Sequence, residues 1–186
     1  GPHQKRAVVI GARHCACAEL GFLRRELTFA ARRPLGIGAL ADAGMFPSDL
    51  VGFFEAVVRT GFTVLVSGGP GAGKTTFVRH RLRALGVAGA AKSPTFAVLE
   101  PYDVQGHAVS HFDFYRFGDA REWDDAGFRD VFAAPGLKLA EWPDKAAPAL
   151  PVPDLRLSIE PDPVHDDARR VTLQAMTPHG VELLAA

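Results

Sequence analysis

A chain of 186 residues, 47% hydrophobic and 23% charged, has the length and composition of one globular domain around a single sizeable core. Lysine and arginine number 21, as do aspartate and glutamate, so whole-chain charge gives no reason to wrap nucleic acid or lie on an acidic membrane. No apolar run approaches the roughly 20 residues that cross a bilayer, and no basic-then-apolar leader opens the chain, so the expected address is the cytoplasm with no membrane partner.

The opening Gly1-Pro2-His3 reads as the remnant of a cleaved expression tag. Residues 1–46 form an N-terminal extension of uncertain structure: a β-like run from Arg6 to Ile10, an expected helix around Glu19 to Leu27, and a turn-rich stretch with Pro34, Gly36 and Gly38. Cys15 and Cys17 sit too close together to staple a fold and are expected as reduced thiols; with His14 they lack the distant fourth ligand of a structural metal site.

Residues 47–186 read as one domain. Ser48 or Asp49 caps a helix carrying Leu50, Phe53, Phe54, Val57 and Val58, which ends at Gly61. Phe62 to Ser67 is a continuous apolar run, as expected of a strand buried on both faces of a parallel sheet. After a glycine-rich turn, Thr75 to Leu85 reads as a helix stopped by Gly86, with Arg79, Arg81 and Arg83 expected on a solvated face. Strands are expected at Thr95 to Leu99, Ala108 to Phe112 and Leu137 to Glu141, with a helical segment from Asp119 to Phe132 before the last. Leu155 to Ile159 and Val171 to Ala175 alternate like two antiparallel strands. The fold class is therefore α/β: a three-layer sandwich with a mainly parallel sheet and C-terminal antiparallel strands.

The chemistry begins at Gly68-Gly69-Pro70-Gly71-Ala72-Gly73-Lys74-Thr75, which satisfies G-x-x-x-x-G-K-[ST] between a strand and a helix. Glycines let successive backbone N–H groups curl toward phosphate oxygens, and the helix N-terminus adds partial positive charge. Gly69, Gly71, Ala72, Gly73, Lys74, Thr75 and Thr76 are the expected ATP contacts, with the Lys74 ammonium on the outer phosphates and the Thr75 hydroxyl suited to a magnesium ion. A phosphate cradle alone hydrolyses nothing. Three further places at expected strand ends carry polar groups toward the same edge, where open α/β sheets bind ligands: Ser93-Pro94-Thr95, Asp113 and Glu141. Each also has a plain structural reading, as a cap, a turn residue and a surface acid. Phe112 and Phe114 alternate with polar neighbours and are expected in the core, whereas Trp142 adjoins a proposed metal ligand.

From about residue 62 onward the chain resembles TsaE, the ATPase of the machinery that makes threonylcarbamoyladenosine in transfer RNA. The resemblance runs through Gly71-Ala72-Gly73-Lys74-Thr75-Thr76, Lys92-Ser93-Pro94-Thr95-Phe96, Glu100-Pro101-Tyr102, His111-Phe112-Asp113-Phe114-Tyr115-Arg116, Glu141-Trp142-Pro143 and Leu150-Pro151. It implies magnesium ligation by Thr75 and Glu141, a switch role for Ser93 and Thr95, a part in hydrolysis for Asp113, and nucleotide contacts from Trp142 and Arg169 or Arg170. It also implies the partners TsaD and TsaB, with transfer RNA bound through their assembly. Residues 28–76 are in addition similar to a secretion-type ATPase approaching its P-loop, which leaves a recombination, an engineered fusion and a divergent member all open. Two other functions share the same P-loop: a small-molecule kinase, with Arg116 and Arg121 enlisted on a lid, and a nucleotide-gated interaction module with little turnover.

Overall fold

The computed structural model describes residues 9–17, 22–30, 57, 61–87, 94, 97–119, 121–163 and 168–185. Among them eight strands form one sheet: β1 (Val9–Cys17), β2 (Phe22–Ala30), β3 (Thr63–Ser67), β4 (Leu99–Val104), β5 (His107–Asp113), β6 (Leu137–Glu141), β7 (Leu155–Pro161) and β8 (Ala168–Ala175). The described helices are α1 (Lys74–Ala84), α2 (Arg121–Asp125), α3 (Phe128–Ala133) and α4 (Pro178–Ala185), with a short 3-10 turn at Pro143–Lys145. The strand order is β1-β2-β8-β7-β3-β6-β5-β4. Its centre is parallel, β3 pairing with both β6 and β7, and β5 with β6. The flanks are antiparallel, including the expected C-terminal pair of β7 and β8.

Successive side chains of β3 leave the sheet on opposite faces, so a strand in the middle of the sheet must be apolar throughout. Val64 and Val66 join Leu137, Leu139, Leu155 and Leu157 in an aliphatic core completed by Phe77, Val78 and Leu82 of α1 and Leu183 and Leu184 of α4. Leu65 faces the other way, into an aromatic core with Phe112, Phe114, Phe117, Trp123 and Phe128. Phe112 stacks on Phe114 with centroids 5.5 Å apart and meets the edge of Phe128 at 5.4 Å, so the expected core placement of both phenylalanines holds.

Several expectations are corrected. The segment expected as a helix around Glu19 to Leu27 is strand β2 from Phe22. Leu23 pairs with Ala16 of β1, and Leu27 with Val171 of β8. Leucines four apart fit a helix turn, but ladder bonds to neighbouring β1 on one side and remote β8 on the other decide the backbone here. The segment from Asp119 to Phe132 is two short helices, because Gly127 takes a left-handed conformation at φ 68° between them. The strand expected at Thr95 to Leu99 starts only at Leu99, since 97 and 98 form a turn and Thr95 lies outside the described residues. Arg81 is 2% exposed and not solvated. It lies within the stripe of Phe77, Val78, Leu82 and Leu85 that α1 turns toward the sheet, and helix geometry carries it inward with them. Its guanidinium stands 5.7 Å from the Phe77 ring, and burial pushes its pKa down to about 10.

Helix α4 was not anticipated. The Thr177 hydroxyl accepts the Gly180 N–H at 3.1 Å as a cap, with Pro178 in the first turn, where a missing N–H costs least. The same hydroxyl donates to Asp154, whose other oxygen accepts the Thr63 N–H at 2.9 Å, tying α4 to the base of β3. The expected helix before Gly61 lies outside the described residues apart from Val57, which is helical and buried.

Candidate functional site

Strand β3 delivers the chain into the loop from Gly68 to Gly73. Gly68 passes so close to β7 that a Cβ there would lie 2.5 Å from the Ile159 carbonyl oxygen, which fixes the loop's entry against the sheet. Gly73, left-handed at φ 98°, turns the chain into α1, and its carbonyl accepts the Phe77 N–H at 2.8 Å. The first turn of α1 holds no acidic residue, so its partial positive charge is not offset from within. Gly69 and Gly71 are exposed, Ala72 is buried, and Thr76 is exposed.

Lys74 is 4% exposed, and its ammonium donates to the carbonyls of Gly68 at 2.7 Å and Gly69 at 2.9 Å. It also stands 3.6 Å from the centre of the Trp142 ring, a cation–π contact. Burial lowers the pKa of this amine from the ordinary lysine value, against a smaller raising effect of the Glu141 and Asp113 carboxylates. Trp142 follows β6 in a left-handed conformation at φ 55° and leans on Tyr115 with ring centres 5.0 Å apart, Tyr115 itself being exposed.

Glu141 ends β6 with no exposed surface. The Thr75 hydroxyl donates to its Oε2 at 2.7 Å, and the His111 ring Nε2 lies 2.8 Å from its Oε1. The parallel register of β5 and β6 sets Asp113 opposite Glu141. Asp113 is half-buried, and its Oδ1 accepts the Tyr115 N–H at 3.1 Å. The P-loop lysine, the P-loop threonine and both expected acids thus meet at the carboxyl ends of adjacent strands. A hydroxyl and a carboxylate 2.7 Å apart are hard oxygen donors of the kind magnesium takes. Among the described residues no group of three or more His, Cys, Asp or Glu could hold a metal ion.

Ser93 and Thr95 lie outside the described residues; Pro94 between them is buried. Arg169 is half-buried on β8 opposite Pro161, at the end of the sheet where β3 enters the P-loop. Arg170 approaches the Asp162 carboxylate at 3.8 Å. The residue that sequence reasoning missed is His111. A signal was present: Val109, His111 and Asp113 share one face of β5, with Val109 buried and Asp113 a candidate acid. A polar residue between them on that face calls for a polar partner.

No helix among the described residues is long and apolar enough to cross a membrane. By structure, the chain is similar to the crystal structure of YdiB of Bacillus subtilis, with a TM-score of 0.59 at 23% identity over 87% of this chain and 93% of that one, a likeness of fold. By sequence, it is 38% identical over 66% of its length to the tRNA threonylcarbamoyladenosine biosynthesis protein TsaE of Haemophilus influenzae, covering 76% of that protein. It is 32% identical to the Bacillus subtilis protein of the same name, over 65% of this chain and 74% of that one. The family model described as threonylcarbamoyl adenosine biosynthesis protein TsaE matches residues 48–171, reaching upstream of residue 62 to take in the segment before β3. With more than half of its length matched and the P-loop geometry of a three-layer α/β NTPase fold, the chain belongs to the TsaE family.

Proposed function

We propose that this chain is a magnesium-dependent ATPase of the cytoplasm that drives the TsaD and TsaB proteins through the threonylcarbamoyladenosine modification of transfer RNA, which the assembly binds. The observation that carries the ATPase reading is the 2.7 Å contact between the Thr75 hydroxyl and the buried Glu141 carboxylate beside the P-loop lysine. Family membership and the names of its relatives support the pathway. Residues 47–186 form the ATPase unit in this reading.

The N–H groups of the loop from Gly69 to Thr76 hold the phosphates. Lys74 exchanges the Gly68 and Gly69 carbonyls for phosphate oxygens, a better partner for a buried ammonium. Thr75 and Glu141 would hold magnesium, which would supply positive charge against the phosphate oxygens. Asp113, half-buried and next to Glu141 in register, orients the attacking water. Ser93 and Thr95 act as the switch that senses the terminal phosphate, while Trp142 and Arg169 flank the nucleotide.

The test is phosphate release from ATP with magnesium by the purified chain, alone and with TsaD and TsaB. Turnover should rise with the partners and vanish in Lys74→Ala, while Asp113→Ala should bind ATP normally and turn over roughly a hundredfold more slowly, at the low end for a positioned acid or base. Parental turnover in Asp113→Ala sinks its assigned role. Bound ATP without partner stimulation would redirect the chain to an interaction module.

A further inference from the structure

We propose that His111 is a positioning residue: it aims the Glu141 carboxylate at the place beside Thr75 where the metal binds. This rests on the reading of Thr75 and Glu141 as magnesium ligands given above. His111 and Glu141 both have fully buried side chains, and their contact joins adjacent parallel strands, His111 lying opposite Leu139 and reaching forward along β6. An ionised carboxylate only accepts hydrogen bonds, so Nε2 carries the proton and donates to Oε1. Oε2 is left directed at Thr75. The two contacts hold the carboxyl group at both oxygens, so it cannot rotate about its terminal bond without losing one of them.

The other ring nitrogen, Nδ1, is buried with no hydrogen-bond partner among the described residues. The ring therefore has one polar engagement there, and that engagement is with Glu141. Partners that hydrogen-bond a metal's carboxylate ligand fix its orientation, and their loss typically costs about 10–100-fold in metal affinity. A merely space-filling histidine would have no such selective effect: its loss would loosen nucleotide binding equally with and without magnesium.

The experiment is binding of a fluorescent ATP analogue, in EDTA and across a magnesium chloride titration. It compares the parent with His111→Leu, with His111→Asn, whose amide stops short of Glu141, and with His111→Gln, whose amide nitrogen reaches the position of Nε2. His111→Leu and His111→Asn should need roughly tenfold more magnesium or beyond to tighten binding, with affinity in EDTA unchanged. His111→Gln should restore most of the magnesium response. A parental titration in His111→Asn, an equal loss with and without magnesium, or a glutamine no better than asparagine overturns the proposal. If His111→Leu fails to fold, the asparagine and glutamine pair decides it. A parent indifferent to magnesium removes the ligand reading itself, and this inference with it, whereas a responsive parent whose His111 variants titrate as it does removes only the role of His111.

Discussion

Thr75→Val removes one hydroxyl from the centre of the site and leaves its shape. In the structure that hydroxyl donates to Glu141 Oε2 at 2.7 Å, and Glu141 has no exposed surface through which water could replace it. A hydrogen bond to a charged group is worth about 1.5–3 kcal/mol. Because His111 still serves the other oxygen, about 2 kcal/mol is the appropriate part of that range. The added methyl of valine, half-buried, returns about 0.5 kcal/mol. The net loss of about 1.5 kcal/mol corresponds to a fall in Tm of about 3–6 °C for a chain of this size. The assay is thermal and urea unfolding in EDTA without nucleotide, with Glu141→Gln and the double variant completing a cycle. The two changes should couple by about 1–2 kcal/mol. A melting point within about 1 °C of the parent, together with additivity within about 0.5 kcal/mol, refutes the reasoning.

Three further outcomes are expected. Because burial lowers the Lys74 pKa, its charge is lost at lower pH than that of an ordinary lysine, so nucleotide affinity in EDTA should decline as pH rises while still below the usual lysine range; a flat profile up to pH of about 10 refutes this. Of the two tryptophans, Trp142 touches the Lys74 ammonium and Trp123 lies in the aromatic core. Added ATP should therefore change emission in Trp123→Phe and leave it unchanged in Trp142→Phe, and a signal surviving in the latter contradicts the contact. Gly136, at φ +116° just before β6, would place an alanine Cβ 2.4 Å from the Ala108 carbonyl oxygen. Backbone strain and crowding of about 1–3 kcal/mol each should lower stability in urea by about 2–6 kcal/mol, and a loss below about 1 kcal/mol argues that the strand shifts freely.

The site was legible where chemistry imposes a local pattern. The P-loop must have its glycines, lysine and threonine within eight consecutive positions, and Glu141 sits where an apolar strand ends, so both could be read from short windows. What spacing hides is what pairing decides. His111 has meaning only once β5 and β6 lie side by side. Strand β2 looked helical because its partners β1 and β8 are remote in sequence from each other. Arg81 looked solvated because charge outweighed position in a helix whose apolar stripe runs straight across it. Helix α4 is eight residues long and carries a proline and a glycine, yet the proline sits in the first turn, and the glycine packs where a Cβ would meet the Asp154 carbonyl oxygen.

The parallel centre of the sheet also sets the order in which the chain acquires its chemistry. β4 and β5 close as a hairpin across Gln105 and Gly106, a local event. Thr75 and Glu141 are 66 residues apart, and loop closure over that span costs roughly 4 kcal/mol of chain entropy before the contact forms. Synthesis exposes the P-loop first and Glu141 much later. A nascent chain halted before β6 therefore lacks both strands that pair with β3, so the P-loop and the carboxylate beside it take their places together, when the second half of the sheet arrives.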